Sequence, residues 1–377
     1  MSTEQHPGFT IQPNILHGLR IFLHSQLFVT PPIPETPFTG QTVIITGSSS
    51  GLGLEAARHF YRLGAAKLIL AVRNPVKGEA AKADIVNSIH TRDNADANAI
   101  EVWPLDQTST QSTLAFAERV KAELPSVDVV VLNAGVINDT FRLCEEGYEE
   151  VTQVNVLNTF LLALALLPKM REAKEKSQGS TPHLTVVSSE AHRLTRFEEI
   201  NAPDLYERLN DEGCYSTQGR GVYPLPSPPF TLLTMNGCRY QVTKLLEVLL
   251  TRELVARLDA AGAVPRSTPP VIINMVNPGL CKSNLGVNKD NSQSLPLLAR
   301  LGRRLLDRTT EVGSRTLVLA ASAPTSSRGE FQSDGKQQDV EAWIYSDVGR
   351  RVQEKVWEQT VRILETRKPG ILKEAGL

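Results

Sequence analysis

The chain has 377 residues, 41% hydrophobic and 21% charged, which are the proportions of an ordinary globular protein and exclude a disordered or collagen-like one. Forty Lys plus Arg stand against forty-one Asp plus Glu, a formal net charge of −1, so the basic surplus of a nucleic-acid binder is missing. One hydrophobic core usually organises roughly 250–300 residues, so this length predicts one large domain with additions or two domains sharing a boundary. The cysteines are Cys144, Cys214, Cys238 and Cys281, too widely spaced for a CxxC pair or zinc knuckle, and no His/Cys/acid cluster has metal-ligand spacing. The polar start Met1–His6 lacks a signal peptide's basic and apolar segments, so a reducing, cytoplasmic setting is expected.

Residues 1–40 read as an N-terminal extension. Ile15, Leu16, Leu19, Phe22, Leu23, Leu27 and Phe28 recur at helical spacing until Pro31 and Pro32 stop the pattern. A helix packed on the main domain is expected; membrane-surface attachment is the alternative, weakened by a polar face with one arginine, Arg20. From Gln41 short apolar strands alternate with amphipathic helices. Strands are predicted at 42–46, 67–72, 100–105, 127–132, 183–188 and 271–276, and helices at 52–63, 75–89, 109–124 and 149–176. This alternation predicts an α/β fold, a doubly wound parallel sheet of Rossmann type over residues 41–377. The apolar run Leu157–Leu167 is too short to span a membrane, which needs about 20 residues, and reads as a buried helix.

One stretch breaks the rhythm. Between about 193 and 235 stand Pro203, Pro224, Pro226, Pro228 and Pro229 with Gly213, Gly219 and Gly221, an insertion expected to be either a functional lid or a disordered excursion. Its Tyr206, Tyr215, Tyr223 and Phe230 would suit a sizeable apolar small-molecule substrate. Self-association is left open.

Thr46-Gly47-Ser48-Ser49-Ser50-Gly51-Leu52-Gly53 lies where the first strand hands over to the first domain helix. A glycine-rich turn there lets backbone approach a pyrophosphate at a helix N-terminus, so Gly47, Ser49, Ser50, Gly51, Leu52 and Gly53 are the expected dinucleotide contacts. NAD-binding proteins usually end the second strand with an acid for the ribose 2′-OH. Here Val72 stands there, followed by Arg73, which could pair with a 2′-phosphate. NADP is therefore the expected cofactor.

Tyr240-Gln241-Val242-Thr243-Lys244 places a phenol and an ammonium one helical turn apart on one face. A tyrosine pKa near 10 would have to fall to ~7 for proton exchange at neutral pH, about 4 kcal/mol of differential stabilisation. Lys244, with the cofactor's positive ring, is expected to supply it. Ser188-Ser189 ends the fifth strand at the carboxyl edge of the sheet, where a hydroxyl could stabilise charge developing on a carbonyl oxygen.

The Gly-x-x-x-Gly-x-Gly spacing, Asn133-Ala134-Gly135 after the fourth strand, Tyr240-x-x-x-Lys244 and Asn277-Pro278-Gly279 after the sixth strand together resemble the short-chain dehydrogenase/reductase family, over about residues 41–283. The segments Arg73–Gly78 and Ser189–Arg193 are similar to its retinol-dehydrogenase-like branch, and Phe28–Pro32 to fungal secondary-metabolite members. The resemblance implies Ser189 as the catalytic serine. It implies Asn155 as the holder of a water linking Lys244 to solvent, with a satisfied core Asn as the other reading. It implies cofactor contacts at Asn133, Ala134, Gly135, Pro278, Gly279, Ser283, Tyr240 and Lys244, with Ser283 in a position where the family has Thr. Asp106 either contacts adenine or caps the following helix. His192 is expected at the pocket rim. Ser189 and Tyr240 are 51 positions apart, longer than the family interval, which puts the insertion between them.

The implied activity is NADP(H)-dependent interconversion of a carbonyl and an alcohol on an apolar small molecule such as a polyketide intermediate. The alternative is an NADP(H)-binding sensor or scaffold without turnover, whose signature would be loss of Tyr240, Lys244 or Ser189. A sugar-nucleotide epimerase shares Tyr-x-x-x-Lys but not the Asn-Ala-Gly and Pro-Gly motifs.

Overall fold

The computed structural model describes residues 8–89, 97–138, 140–176, 181–218, 238–262, 269–282, 285 and 306–377. Strands β1 (Thr42–Thr46), β2 (Lys67–Val72), β3 (Ile100–Pro104), β4 (Val129–Leu132), β5 (His183–Val187), β6 (Ile272–Asn277), β7 (Phe331–Ser333) and β8 (Lys336–Gln338) form one sheet in the order 3-2-1-4-5-6-7-8. Every pairing is parallel except β7 with β8. The order reverses between β1 and β4, and that crevice at the carboxyl edge is where such sheets bind ligands.

The strands read as continuous apolar runs because helices cover both faces. Along β1, Ile44 faces one core while Val43 and Ile45 face the other. The Val43–Ile45 side packs against α2 (Gly51–Arg62), α3 (Pro75–Ser88) and α10 (Thr310–Ala320). The Ile44 side packs against α4 (Thr110–Glu123), α6 (Asn158–Lys176), α9 (Cys238–Ala261) and α11 (Asp347–Arg367). Local signals set the ends. Asn74 caps α3 by accepting from Lys77 N at 3.2 Å, with Pro75 as first helical residue, and Ser109 caps α4 by accepting from Ser112 N at 3.2 Å.

The stretch expected as one helix over 149–176 is broken. Glu149 accepts from Val151 N and Thr152 N, both at 2.9 Å, to start the short α5 (Glu150–Thr152), and a π-helical turn, Gln153–Leu157, leads into α6. π-turns cluster at functional sites, and this one carries Asn155. The segment Glu150–Glu175 is apolar enough to pass for a membrane span, but 94% of that window is buried inside the protein, as expected for a core helix.

Beyond Ser283 the motifs assign no element. The β7–β8 hairpin turns at Asp334 and Gly335, with φ of +55° and +76°, and Asp-Gly between two strands was a readable signal for it. α11, capped by Ser346, packs along α9, and α12 (Ile371–Glu374) packs on α6.

The first part of the insertion is a built-in part of the core, contrary to both readings of it. α7 (Leu205–Leu209) starts at an Asp204 cap, and α8 (Glu212–Gln218) follows. Tyr206, expected on a lid, is 2% exposed, and its hydroxyl hydrogen-bonds Thr360 Oγ1 of α11 at 2.6 Å. Lys355 Nζ donates to Ile200 O and Ala202 O at 2.7 and 2.8 Å, and Gln359 holds Leu205 N and Pro203 O. Buried apolar contact with α11 outweighs the turn-forming composition. Tyr223 and Phe230 lie outside the described residues.

A lid residue could be truncated at little cost, whereas a core aromatic could not. Tyr206→Ala should destabilise the fold by about 3–5 kcal/mol and Tyr206→Phe, which loses only the hydrogen bond, by about 1 kcal/mol. Urea unfolding monitored by tryptophan fluorescence reads both; an unchanged midpoint for Tyr206→Ala would contradict this packing.

Candidate active site

The glycine turn is built by close approach. A Cβ on Gly47, whose φ is +67°, would lie 2.9 Å from Ala134 Cα, and one on Gly53 would lie 2.5 Å from Gly47 O. At Gly51, with φ +61°, a Cβ would meet no protein atom within 4 Å, so this side of the turn is a cradle bounded by the start of α2. Ser50 precedes that helix in extended conformation and makes no side-chain cap bond, which leaves the first-turn N–H groups to a ligand. Such a cradle fits the pyrophosphate of a nicotinamide dinucleotide.

Thr46 and Asn133 lock the turn to β4. Thr46 Oγ1 accepts from Asn133 N at 3.0 Å and Ala134 N at 2.9 Å, and Asn133 Nδ2 donates to Thr46 O at 2.8 Å and Gly47 O at 3.3 Å. The Asn133 amide thus braces the turn. Arg73 is exposed just past β2, while Val72 is buried against the Gly78 backbone and Val102. Asp106 is not the cap of α4, which is Ser109; its Oδ1 accepts from Thr108 N and Thr108 Oγ1 in a local turn.

α9 delivers Tyr240 and Lys244 to the carboxyl end of β5. The Ser189 hydroxyl lies beside Tyr240, where it favours the ionised phenol, and accepts from Ala191 N at 3.1 Å. The Lys244 ammonium sits 5.4 Å from the centre of the Tyr240 ring and donates to Val187 O at 2.9 Å and Glu247 Oε1 at 2.8 Å. Glu247, one turn beyond Lys244 and 2% exposed, was readable as an i, i+3 partner but belongs to no motif. It changes the electrostatics. Burial pushes the Tyr240 phenol above its ordinary value; the pull of Lys244 is opposed by the Glu247 carboxylate and assisted by the Ser189 hydroxyl. The expected depression of Tyr240 is therefore absent from the protein by itself.

The Asn155 side chain acts as a brace. Its Oδ1 accepts from Val136 N at 2.8 Å, and its Nδ2 donates to Val136 O and Thr243 Oγ1, both at 3.1 Å. This joins the chain after Gly135 to the active helix. His192 is not at a rim. It is 1% exposed against Phe331, its Nδ1 donates to Ser189 O at 2.7 Å, and burial drives it down to about 3, so the ring is neutral.

The turn after β6 is latched by the N-terminal helix, a partner that no local signal revealed. Within α1 (Ile15–Phe28), Gln26 accepts from Leu280 N at 3.2 Å and donates to Leu280 O at 3.0 Å and Leu306 O at 2.7 Å. Arg308 Nη2 donates to Ser25 O and Val29 O at the end of the helix. Gly279 takes φ +78°, a conformation that disfavours any side chain, and its open face lets Gln26 Oε1 and Arg308 close onto the turn. Asn277 Oδ1 accepts from Gly279 N at 3.1 Å and Glu190 N at 3.3 Å, tying Pro278-Gly279 to the Ser189 turn. Ser283 lies outside the described residues.

A phosphate cradle at the β1–β4 switch point, with a serine, tyrosine and lysine converging beside it, defines a nicotinamide-dependent oxidoreductase site. The chain belongs to the short-chain dehydrogenase/reductase family. Residues 41–196 match the family model for short chain dehydrogenases. The chain is 40% identical to the short chain dehydrogenase/reductase dmxR8 of Cryptosporiopsis sp. over 93% of its length and 98% of that protein's. It is 38% identical to the short-chain dehydrogenase anuD of Penicillium roqueforti over 93% of its length and 84% of that protein's. Among solved structures it resembles an uncharacterized protein of Mycobacterium paratuberculosis, with 25% identity and a TM-score of 0.57 over 89% of this chain and 98% of that one.

Gln26→Ala removes three hydrogen bonds that hold the Pro278-Gly279 turn. Nicotinamide-cofactor binding, read by fluorescence titration, should weaken roughly 10-fold, about the value of one net hydrogen bond, with the unfolding midpoint little changed. An unaltered dissociation constant would show that α1 does not support the cofactor loop.

Proposed function

We propose that the chain is an NADP(H)-dependent enzyme that interconverts a carbonyl and an alcohol on an apolar small molecule. The observation that carries this is the convergence of Tyr240 and Ser189, side by side, with Lys244 behind them at the mouth of the glycine cradle. The cofactor supplies or accepts the hydride. The chain's own residues do the rest. First-turn amides of α2 hold the pyrophosphate, and Arg73 meets a 2′-phosphate with charge-assisted bonds. Ser189 and Tyr240 hold the substrate oxygen, Ser189 by donating to it and Tyr240 by giving it a proton in reduction or taking one in oxidation. A phenol held high is suited to the donation that reduction requires of it.

Two aromatic rings and the Arg239 guanidinium, 5.7 Å from the Tyr215 ring, meet near the start of α9. Tyr215 stands edge-on to Phe141, with its hydroxyl donating to Asn138 O at 2.6 Å beyond the Asn133-Ala134-Gly135 passage. Similarity to fungal secondary-metabolite members makes a polyketide or related intermediate the first substrate class to test. Binding without turnover is the reading that an assay of NADPH oxidation against ketones, aldehydes and quinones separates from this one.

In that assay wild type should favour NADPH over NADH by roughly 10- to 150-fold in kcat/KM, as one or two charge-assisted bonds allow. Arg73→Ala should erase most of the gap by weakening NADPH alone, and Tyr240→Phe should bind cofactor but lose about 10²–10⁴-fold in kcat. A wild-type preference for NADH would make Arg73 an ordinary surface residue. Tyr240→Phe turning over at more than half the wild-type rate would remove the phenol from the chemistry.

A further inference from the structure

Tyr240, Lys244 and Glu247 follow one another at i, i+4 and i+7 on one face of α9, directed inward. Lys244 and Glu247 are 5% and 2% exposed, and the ammonium bridges Glu247 Oε1 at 2.8 Å and Val187 O at 2.9 Å. The second carboxyl oxygen, Oε2, is buried with no hydrogen-bond partner. The nearby Ser188 hydroxyl donates to Lys244 O at 3.1 Å. A buried carboxylate that served only as a counter-ion would be expected to have both oxygens satisfied. One oxygen held by an ammonium and the other bare is the arrangement of a group that takes up a proton.

We propose that Glu247 is the proton store of the site: it positions Lys244 and, through it, restores the proton that Tyr240 gives up. This rests on the carbonyl-reducing reading above. In reduction the Tyr240 O–H bond breaks as the substrate O–H bond forms. A Lys244 N–H proton then restores the phenol, and the Glu247 O–H proton restores the ammonium, leaving the Lys244–Glu247 ion pair and a neutral Tyr240. The carboxylate regains its proton from water entering the site between turnovers. No oxidant or reductant beyond the nicotinamide is involved. Oxidation runs the same transfers backwards.

The charge environment is simple. Burial raises Glu247 to about 7, opposed by the Lys244 charge and hydrogen bond and more weakly by the dipole of the Ser188 hydroxyl, whose own hydrogen bond goes to Lys244 O. The 190–194 turn, α11, α5, the π-turn, β6 and α8 pack on α9; of the charged groups there, Glu190 pairs with Arg193 and Glu149 with Arg239, and the charge that acts on Glu247 is that of Lys244, with Ser188 as its polar neighbour and Tyr240 beyond Lys244. The sign follows. Glu247 holds its proton below about pH 7 and has lost it above, so reduction should slow as pH rises through that value.

Two measurements test this. In the protein saturated with NADP+, infrared difference spectra should show a protonated-carboxyl band that titrates near pH 7 and is missing from Glu247→Gln. In NADPH-dependent reduction, wild-type kcat should fall with pH through 7. Glu247→Gln keeps an acceptor for Lys244 but carries no exchangeable acid. It should lose about 100-fold in kcat at pH 6, the lower end for positioned proton donors, and show no inflection near 7. Glu247→Asp should restore the inflection. A Glu247 ionised throughout pH 5–9, or a Glu247→Gln profile parallel to wild type, would overturn the proposal. If wild type turns over no carbonyl while the infrared band titrates, the reductase reading fails and the proton store stands.

Discussion

A buried ammonium organises this active site. Lys244 is almost fully removed from water, and a charge in that position persists only if the fold surrounds it with partners. Those partners are the last carbonyl of β5 and the Glu247 carboxylate, with the Tyr240 ring nearby. The end of β5, the helix α9 and the serine turn are therefore held in one arrangement. Breaking the pair by removing Glu247's charge leaves Lys244 to act on Tyr240 alone, so the same contact that stabilises the helix face also sets the state of the phenol.

The other contacts at the carboxyl edge fix the distance between this charge and the phosphate cradle. Thr46 and Asn133 join β1 to β4, Asn155 joins the chain after β4 to α9, and Asn277 joins the turn after β6 to the turn after β5. All three asparagines hydrogen-bond backbone or hydroxyl groups through their side-chain amides, which specifies geometry at points where packing alone would not. The two ends of the chain support this frame from outside. α1 reaches across to the Pro278-Gly279 turn, while α11 covers α9 and accepts the first part of the insertion onto its flank.

The fold was legible wherever periodicity and turn chemistry agree. Fully buried strands such as Thr42–Thr46 and Ile272–Asn277 read as apolar runs, and the glycine turn and the Tyr240–Lys244 spacing depend on local geometry that a sequence displays. Long-range contacts were not legible. Gln26 and Leu280 are 254 positions apart, and nothing near Gln26 marks it as a partner of a cofactor loop. Tyr206 stands among Pro, Gly and charged residues that read as an exposed loop, and only its contact with Thr360 buries it. His192 follows a strand end and reads as a rim residue, yet Phe331 from a strand too short to recognise closes over it. The π-turn at Asn155 gives no periodic sign in a helix that is buried on every face. Glu247 fell between the two cases: its spacing from Lys244 was visible, but an acid beside a lysine on a helix ordinarily reads as a solvated pair.

The central claim is that burial holds Tyr240 as a phenol and that Glu247, once ionised above about pH 7, opposes the pull of the Lys244 charge on it. Ultraviolet difference titration, with the Tyr240→Phe protein subtracted to isolate one phenol among seven, measures this directly. The account predicts that Tyr240 in the wild-type protein ionises above the ordinary tyrosine value and that Glu247→Gln moves its ionisation downward. Ionisation near neutral pH in the wild type, or superimposable curves for the two proteins, would contradict it.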